Sequence, residues 1–343
     1  MESRDLEWMI AQCDFAGGAE PAWRGVAGIP ASRCPGSLRL TSIPRAFSLP
    51  SMNTLQDSLL ELVRRTSAEI PDDVHRAILG SLEQEKKGTI AESAMKIIEQ
   101  NIALARNKSQ PICQDTGSII FYVECPVGYD QVAFEDAARE AVKLATKKGF
   151  LRQNSVDSMT GKNDGTNVGP GSPALHFHQH RSPEVSVRLV LKGGGCENVG
   201  AQYSLPNEKL KANRDLDGCR KSILDAVLQA QGKGCGPGIL GVCVGGDRAT
   251  GYAFSKQQFL RKLDDHNPDP ELDKLEQDIV ETANKLGIGP MGFGGRTTLL
   301  GTKIGVLNRL PASYFVSVSY MCWAYRRQGV TLDSGGRIEK WLY

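Results

Sequence analysis

The run Gly238-Ile239-Leu240-Gly241-Val242-Cys243-Val244-Gly245 decides the fold class. It is continuously apolar, too short for a helix, β-branched in part and bracketed by glycines, so it predicts a strand buried on both faces. Helical periodicity flanks it, at Arg214–Gln231 before it and at Gly251–Leu263 and Glu271–Leu286 after it. Strand patterns follow at Lys303–Leu307 and Tyr314–Tyr320. Upstream, Ser118–Glu124 is β-rich and Phe134–Thr146 is helical. Ala174–His180 and Glu184–Leu191 then alternate as strands expected to pair with each other. Strands interleaved with helices predict an α/β domain with a mixed sheet. From Met52 to about Lys108 the apolar residues recur at helical spacing, through Leu55, Leu59, Leu60 and Val63, then Val74, Ile78 and Leu82, then Ala91, Ala94, Ile97, Ile98 and Ile102. The fold class read from the sequence is therefore α/β, a helical N-terminal section followed by a mixed-sheet domain.

The expected boundaries are 1–51 as an extension outside the fold, 52–330 as the catalytic domain and 331–343 as a C-terminal tail. Residues 21–51 carry four Arg, five Ser and no Asp or Glu, a bias like that of an organelle-targeting peptide. Glu2, Asp5, Glu7, Asp14 and Glu20 oppose that reading, and a cytoplasmic location is the expectation. The 41 basic and 39 acidic side chains of the 343-residue chain leave a formal charge of +2, which argues against a nucleic-acid binder with a broad basic face. No apolar stretch approaches the ~18 residues of a membrane span. Nine cysteines, an odd number at irregular spacing and without a Cys-x-x-Cys, fit a reducing compartment better than a disulfide framework.

Five segments are too rich in glycine or polar residues for scaffold. They begin at Gln110-Pro-Ile-Cys113-Gln-Asp115-Thr-Gly117, Asn163-Asp-Gly165-Thr-Asn167, Lys192-Gly-Gly-Gly-Cys196-Glu-Asn198, Gly232-Lys-Gly-Cys235-Gly-Pro-Gly238 and Gly287-Ile-Gly-Pro-Met-Gly-Phe-Gly-Gly295. The last holds a formal G-x-G-x-x-G, but it follows a helix rather than a strand, so it is not read as a dinucleotide site. With Arg296, Thr297 and Thr298 it is expected to form an anion nest. His176, His178 and His180 share one face of a strand, read as a solvated or substrate-side face rather than a metal site. Cys113 and Cys235 sit in turns, where backbone N–H groups can reach sulfur and stabilise a thiolate able to bind metal or act as a nucleophile. Cys243, in mid-strand, reads as a buried structural thiol.

Four of these segments (Pro111–Gly117, Asp164–Asn167, Lys192–Asn198 and Gly287–Gly295) together with Leu310–Cys322 resemble, in order, the alpha part of class I fumarate hydratases and L-tartrate dehydratases. The likeness covers about Leu55 to Gln328. It implies a [4Fe–4S] cluster held by three cysteines, which by motif are Cys113, Cys235 and Cys322, with Cys196 as a rival. Three ligands leave one iron open as a Lewis acid. Such scattered ligands, 122 and 87 residues apart, differ from the clustered cysteines of an electron-transfer ferredoxin. The resemblance further implies reversible hydration of fumarate to L-malate. Asp115 would be the acid/base, supported by His266, while Gln114, Arg152 and Gly165 would contact a small dicarboxylate. The complete family enzyme has a beta part that this chain does not contain. The expectation is a beta-subunit partner, an alpha2–beta2 assembly and no activity for the chain alone. L-tartrate dehydratase is the alternative hydro-lyase, and a non-catalytic iron–sulfur scaffold or sensor the alternative of another class.

Overall fold

In the computed structural model, residues 52–343 are described. The expected extension 1–51, with Cys13 and Cys34, lies outside the described residues.

Three helices open the described chain: α1 (Met52–Ala68), α2 (Asp72–Gln84) and α3 (Ile90–Lys108). Thr89 caps α3 by accepting from the Glu92 N–H at 3.3 Å. Ser109 ends the helix in the left-handed conformation (φ 48°). The turn sends the chain back over α1, where Ile112 N–H bonds Ser67 O at 3.0 Å. Asn101 Nδ2 holds Ile112 O at 2.8 Å. Cys113 is thus anchored by both flanking helices just before strand β1 (Ser118–Pro126).

The remaining elements are α4 (Gln131–Lys147), β2 (Ala174–His180), β3 (Val185–Lys192), the single turn α5 (Gly194–Asn198), β4 (Ala201–Ser204), α6 (Leu216–Ala230), β5 (Gly238–Gly245), α7 (Arg248–Gln257), α8 (Pro270–Asn284), β6 (Leu299–Leu307), β7 (Phe315–Met321), β8 (Arg326–Leu332) and β9 (Ile338–Trp341). They form two mixed sheets, one ordered β2-β1-β3-β8-β9 and the other β4-β7-β5-β6. The α/β reading holds, with two sheets. The run 238–245 is a strand with every residue buried. It is parallel to β6 and antiparallel to β7.

Two expectations are corrected. Strands 174–180 and 184–191 do not pair with each other; β1 lies between them, parallel to β2 and antiparallel to β3. The partition follows burial. Strand β2 turns His176 and His178 to solvent, as suits an edge, whereas seven of the eight β3 residues are buried. Residues 331–343 are not a tail: β8 runs to Leu332 and β9 pairs with it. Tyr343 donates to Leu260 O at 2.6 Å.

Strand β1 shows the layering. Ile119, Phe121 and Val123 face a core with α1 and α4, while Ile120 and Tyr122 face a second core shared with the four-stranded sheet. Among the described residues no helix is long and apolar enough to cross a membrane.

Candidate functional site

The Cys113 loop, the Lys192–Asn198 loop and the end of β7 meet where the two sheets join. Asp115 is the hinge of the arrangement. Its N–H points at Cys113 Sγ, 3.4 Å away. Its Oδ2 accepts from Gly194 N–H at 2.6 Å. The loops pack so closely that a Cβ on Gly117 (φ 76°) would stand 2.4 Å from the Lys192 carbonyl, so only glycine fits there.

Cys235 reaches the same place from the end of α6, itself in the left-handed conformation (φ 57°). Trp323 N–H bonds the Cys235 carbonyl at 3.4 Å, tying that loop to the residue after Cys322. The Tyr320 ring lies where side chains on Gly234 and Gly238 would be, with virtual Cβ atoms 2.4 and 2.2 Å from it. The glycines around Cys235 therefore make room for β7.

Burial and neighbouring charges perturb these thiols. Burial pushes the Cys235 thiol up, and the charges of Cys322, Cys113 and Asp115 push it further. Mutual interaction couples Cys196 and Cys322. It draws Cys196 down, helped by Lys192 and Arg326, and raises Cys322 well above the ordinary thiol range. Burial alone raises Cys125 and pushes Cys243 up to about 12. Cys219, also raised by burial, exchanges a hydrogen bond with Tyr314. Hydrogen bonds link the loops of four cysteines: Asp115, beside Cys113, holds Gly194, Cys196 Sγ lies 3.9 Å from Gly234 O, and Trp323 N–H bonds the Cys235 carbonyl, whereas Cys125, Cys219 and Cys243 lie on other elements. Among the described residues no group of three His, Cys, Asp or Glu side chains stands as a ready cage for a single metal ion. A cube of iron and sulfide is larger than one ion and needs its thiolates further apart.

Beside Asp115 opens a cavity of about 280 Å³, lined by Asp115, Gly117, Asn154, Ser155, Asn167 and Gly194 among others. Thr116 Oγ1 donates to Arg152 O and accepts from Arg152 N–H, both at 2.9 Å, so Arg152 is fixed next to the Asp115 loop. Its exposed guanidinium, like the exposed Gln114 side chain, takes no partner among the described residues. Gly165 (φ 78°) lies against the Gln153 side chain, within 3.3 Å of a virtual Cβ.

Asn167 is the residue that sequence reading missed. It is buried, accepts from Asn154 and Ser155 N–H at 2.9 and 3.0 Å, and donates to Arg152 O at 2.7 Å. An Asn in a polar loop signals little by itself. Its value is that one amide holds the whole segment after Arg152.

His266 stands apart. Its side chain is 81% exposed and lies 3.3 Å from Asp273. It lines a different cavity with Asp265, Glu276 and Lys303. The anion nest exists, and the chain fills it itself: Glu85 accepts from Arg296 N–H at 2.9 Å and Thr297 N–H at 3.0 Å. Glu85→Ala should lower stability by about 2–4 kcal/mol, because it orphans two N–H groups bonded to a charged acceptor. Glu85→Gln should cost less. Urea midpoints check this, and an unchanged Glu85→Ala midpoint would contradict it.

The match to the fumarate hydratase (Fumerase) family spans residues 56–331. A Geobacillus stearothermophilus protein provisionally named fumarate hydratase class I is 52% identical over 296 residues, which are 85% of this chain and 58% of that protein. This chain therefore spans little more than half of that relative. A Methanocaldococcus jannaschii protein provisionally named L(+)-tartrate dehydratase subunit alpha is 31% identical, over 80% of this chain and 95% of its own length. The L(+)-tartrate dehydratase subunit alpha of Escherichia coli K12 is 28% identical, over 81% of this chain and 90% of its own.

Proposed function

The chain belongs to the fumarate hydratase family, and from that premise we propose that Cys113, Cys235 and Cys322 hold a [4Fe–4S] cluster and that the chain, joined to a beta part, reversibly hydrates fumarate to L-malate. The observation that supports this reading is that the loops bearing these cysteines are tied to one another: Asp115 N–H faces Cys113 Sγ, Asp115 Oδ2 holds the Gly194 loop, and Trp323 N–H, next to Cys322, bonds the Cys235 carbonyl. The surroundings fit such a group. The donors are soft thiols, the approach is walled by glycines, and the buried cations Lys192 and Arg326 flank it. When bound, the cluster would supply an open iron as Lewis acid for a substrate oxygen.

The chain's own residues would do the rest. Asp115 lines the cavity with Oδ2 held by Gly194 N–H, and its Oδ1 takes no hydrogen bond among the described residues. In the dehydration direction it would give a proton to the departing hydroxyl, and in hydration it would take one from water. Arg152, with its backbone clamped and its guanidinium free, would bind a substrate carboxylate as a planar fork. Gln114 would orient the substrate beside it, and Gly165 would keep backbone close to it. His266, on its own cavity, is left out of this chemistry.

A second carboxylate and a second acid/base remain to be served, and a beta part would supply them. The printed name "subunit alpha" on relatives matched over 95% and 90% of their length supports a separate partner chain. The loop after Arg152 exposes Val156 and Met159, and the glycine loop bonded to Gly236 exposes Phe293. A partner would cover these apolar side chains.

Tartrate dehydration is the second reading, favoured by those same alpha-subunit matches. Anaerobic assays of the co-expressed alpha–beta pair with fumarate, L-malate and L-tartrate decide. Interconversion of fumarate and malate by the pair, and by neither chain alone, is expected. Turnover of L-tartrate alone would overturn the fumarate assignment.

A further inference from the structure

Arg326 opens strand β8 four residues after Cys322 and is 1% exposed. One amine, Nη1, donates to the Asp115 carbonyl. The other, Nη2, lies 3.5 Å from the point a Cβ on Gly193 would occupy. Both Nη2 and Nε are buried without a hydrogen-bond acceptor. The neighbouring Arg327 has the Asp73 carboxylate and the rings of Tyr325 and Tyr343. Among the described residues Arg326 makes no ion pair and stacks on no ring; the Asp115 carboxylate, with Oδ2 3.1 Å from that same Gly193 point, is hydrogen-bonded to Gly194 N–H instead. A guanidinium taken out of water without an anion is costly, and each orphaned N–H adds to that cost. An anion that is not part of the chain would resolve both.

Lys192, the other fully buried cation here, has its own counter-charge, with Nζ 3.1 Å from Glu197 Oε2. Arg326 instead sits at the junction of the cysteine loops, four residues after Cys322 and bonded to the carbonyl of Asp115, two residues after Cys113. Three thiolates on a cluster core of charge 2+ leave one net negative charge to balance, of the sign and softness that a guanidinium fork accepts.

We propose that Arg326 is the buried counter-cation of the cluster, with Nε–H and Nη2–H donating to its sulfur edge while Nη1 fixes the Asp115 backbone. This rests on the reading of Cys113, Cys235 and Cys322 as ligands. Arg326 is thus a positioning residue: it touches neither substrate nor the open iron, and acts through the charge of the cluster and the placement of Asp115.

The test uses the full chain, reconstituted anaerobically with iron and sulfide and then reduced. With 15N-labelled arginine, pulsed EPR of the reduced wild-type cluster should show a nitrogen coupling that Arg326→Lys removes. Arg326→Gln should make the cluster harder to reduce by at least tenfold in the reduction equilibrium, about 59 mV for one electron, since a lost cation penalises the added charge. Arg326→Lys should restore most of that shift. A folded Arg326→Gln chain that loads no iron while Arg326→Lys loads would also support the proposal. A loaded wild-type cluster without arginine coupling, or an unshifted potential in Arg326→Gln, would overturn it. Absence of iron in the wild-type chain would instead sink the ligand assignment, and Arg326's role with it.

Discussion

Asp115→Asn should leave the iron and sulfide content of the chain unchanged and cut turnover of the alpha–beta pair by about 10²–10⁴-fold, the usual worth of a positioned acid/base. The substitution is nearly isosteric. An amide oxygen can still accept from Gly194 N–H, and the backbone N–H can still face Cys113. Loop geometry is therefore kept while the titrating proton is lost. Asp115→Ala adds a structural defect, because it also frees Gly194 N–H, and should lose more. The measurement is kcat in both directions on iron-loaded pairs. Turnover of Asp115→Asn within threefold of wild type would remove Asp115 from proton transfer and shift that role to the partner chain.

The second large effect is on the cluster itself. Cys113→Ser, Cys235→Ser and Cys322→Ser should each abolish cluster binding and activity, since a hard hydroxyl replaces a soft thiolate on iron. Cys125→Ser, Cys219→Ser and Cys243→Ser should keep the iron, because burial rather than neighbouring sulfurs sets the state of Cys125 and Cys243 and a Tyr314 hydrogen bond partners Cys219. They should lose stability modestly for burying a hydroxyl. Cys196→Ser is the instructive case. The Cys196 sulfur lies 3.9 Å from the carbonyl of Gly234, the residue before Cys235, so it belongs to the site without being one of the assigned ligands. Iron content should survive its loss. If Cys196→Ser empties the cluster and Cys113→Ser does not, the ligand set is misassigned.

Local physics was legible in the sequence and long-range pairing was not. The apolar run between Gly238 and Gly245 reads as a buried strand, and it is one. The pairing of 174–180 with 184–191 failed because alternation reports which faces are wet, not which strand lies alongside. Strand β1, some fifty residues earlier, supplies the hydrogen bonds. The segment 331–343 looked like a tail because its few apolar residues are spaced among charges. Its value lies in covering the buried Arg327, which a sequence shows only as one more surface cation.

The candidate site divides the same way. The three cysteines came from motif resemblance, and their loops are joined by backbone hydrogen bonds such as Trp323 N–H to the Cys235 carbonyl. Arg152 was read as a substrate contact, and the Thr116 clamp gives it a fixed origin. Glu85 in the glycine nest was invisible, because a carboxylate 211 residues upstream of Arg296 gives no local signal. Arg326 was missed for the same reason as Arg327: composition assigns charge to the surface, and only burial shows otherwise. His266 drew attention because it falls near a histidine of the family pattern, and its 81% exposed side chain lies 3.3 Å from Asp273.

The most direct measurement is the iron and acid-labile sulfide content of the wild-type chain after anaerobic reconstitution, with EPR of the reduced sample. About four iron and four sulfide per chain, falling toward three iron and losing activity in the pair on brief exposure to air, is the predicted result. A chain that folds and pairs with its beta partner yet binds no iron, or binds a single ion without sulfide, would contradict the account.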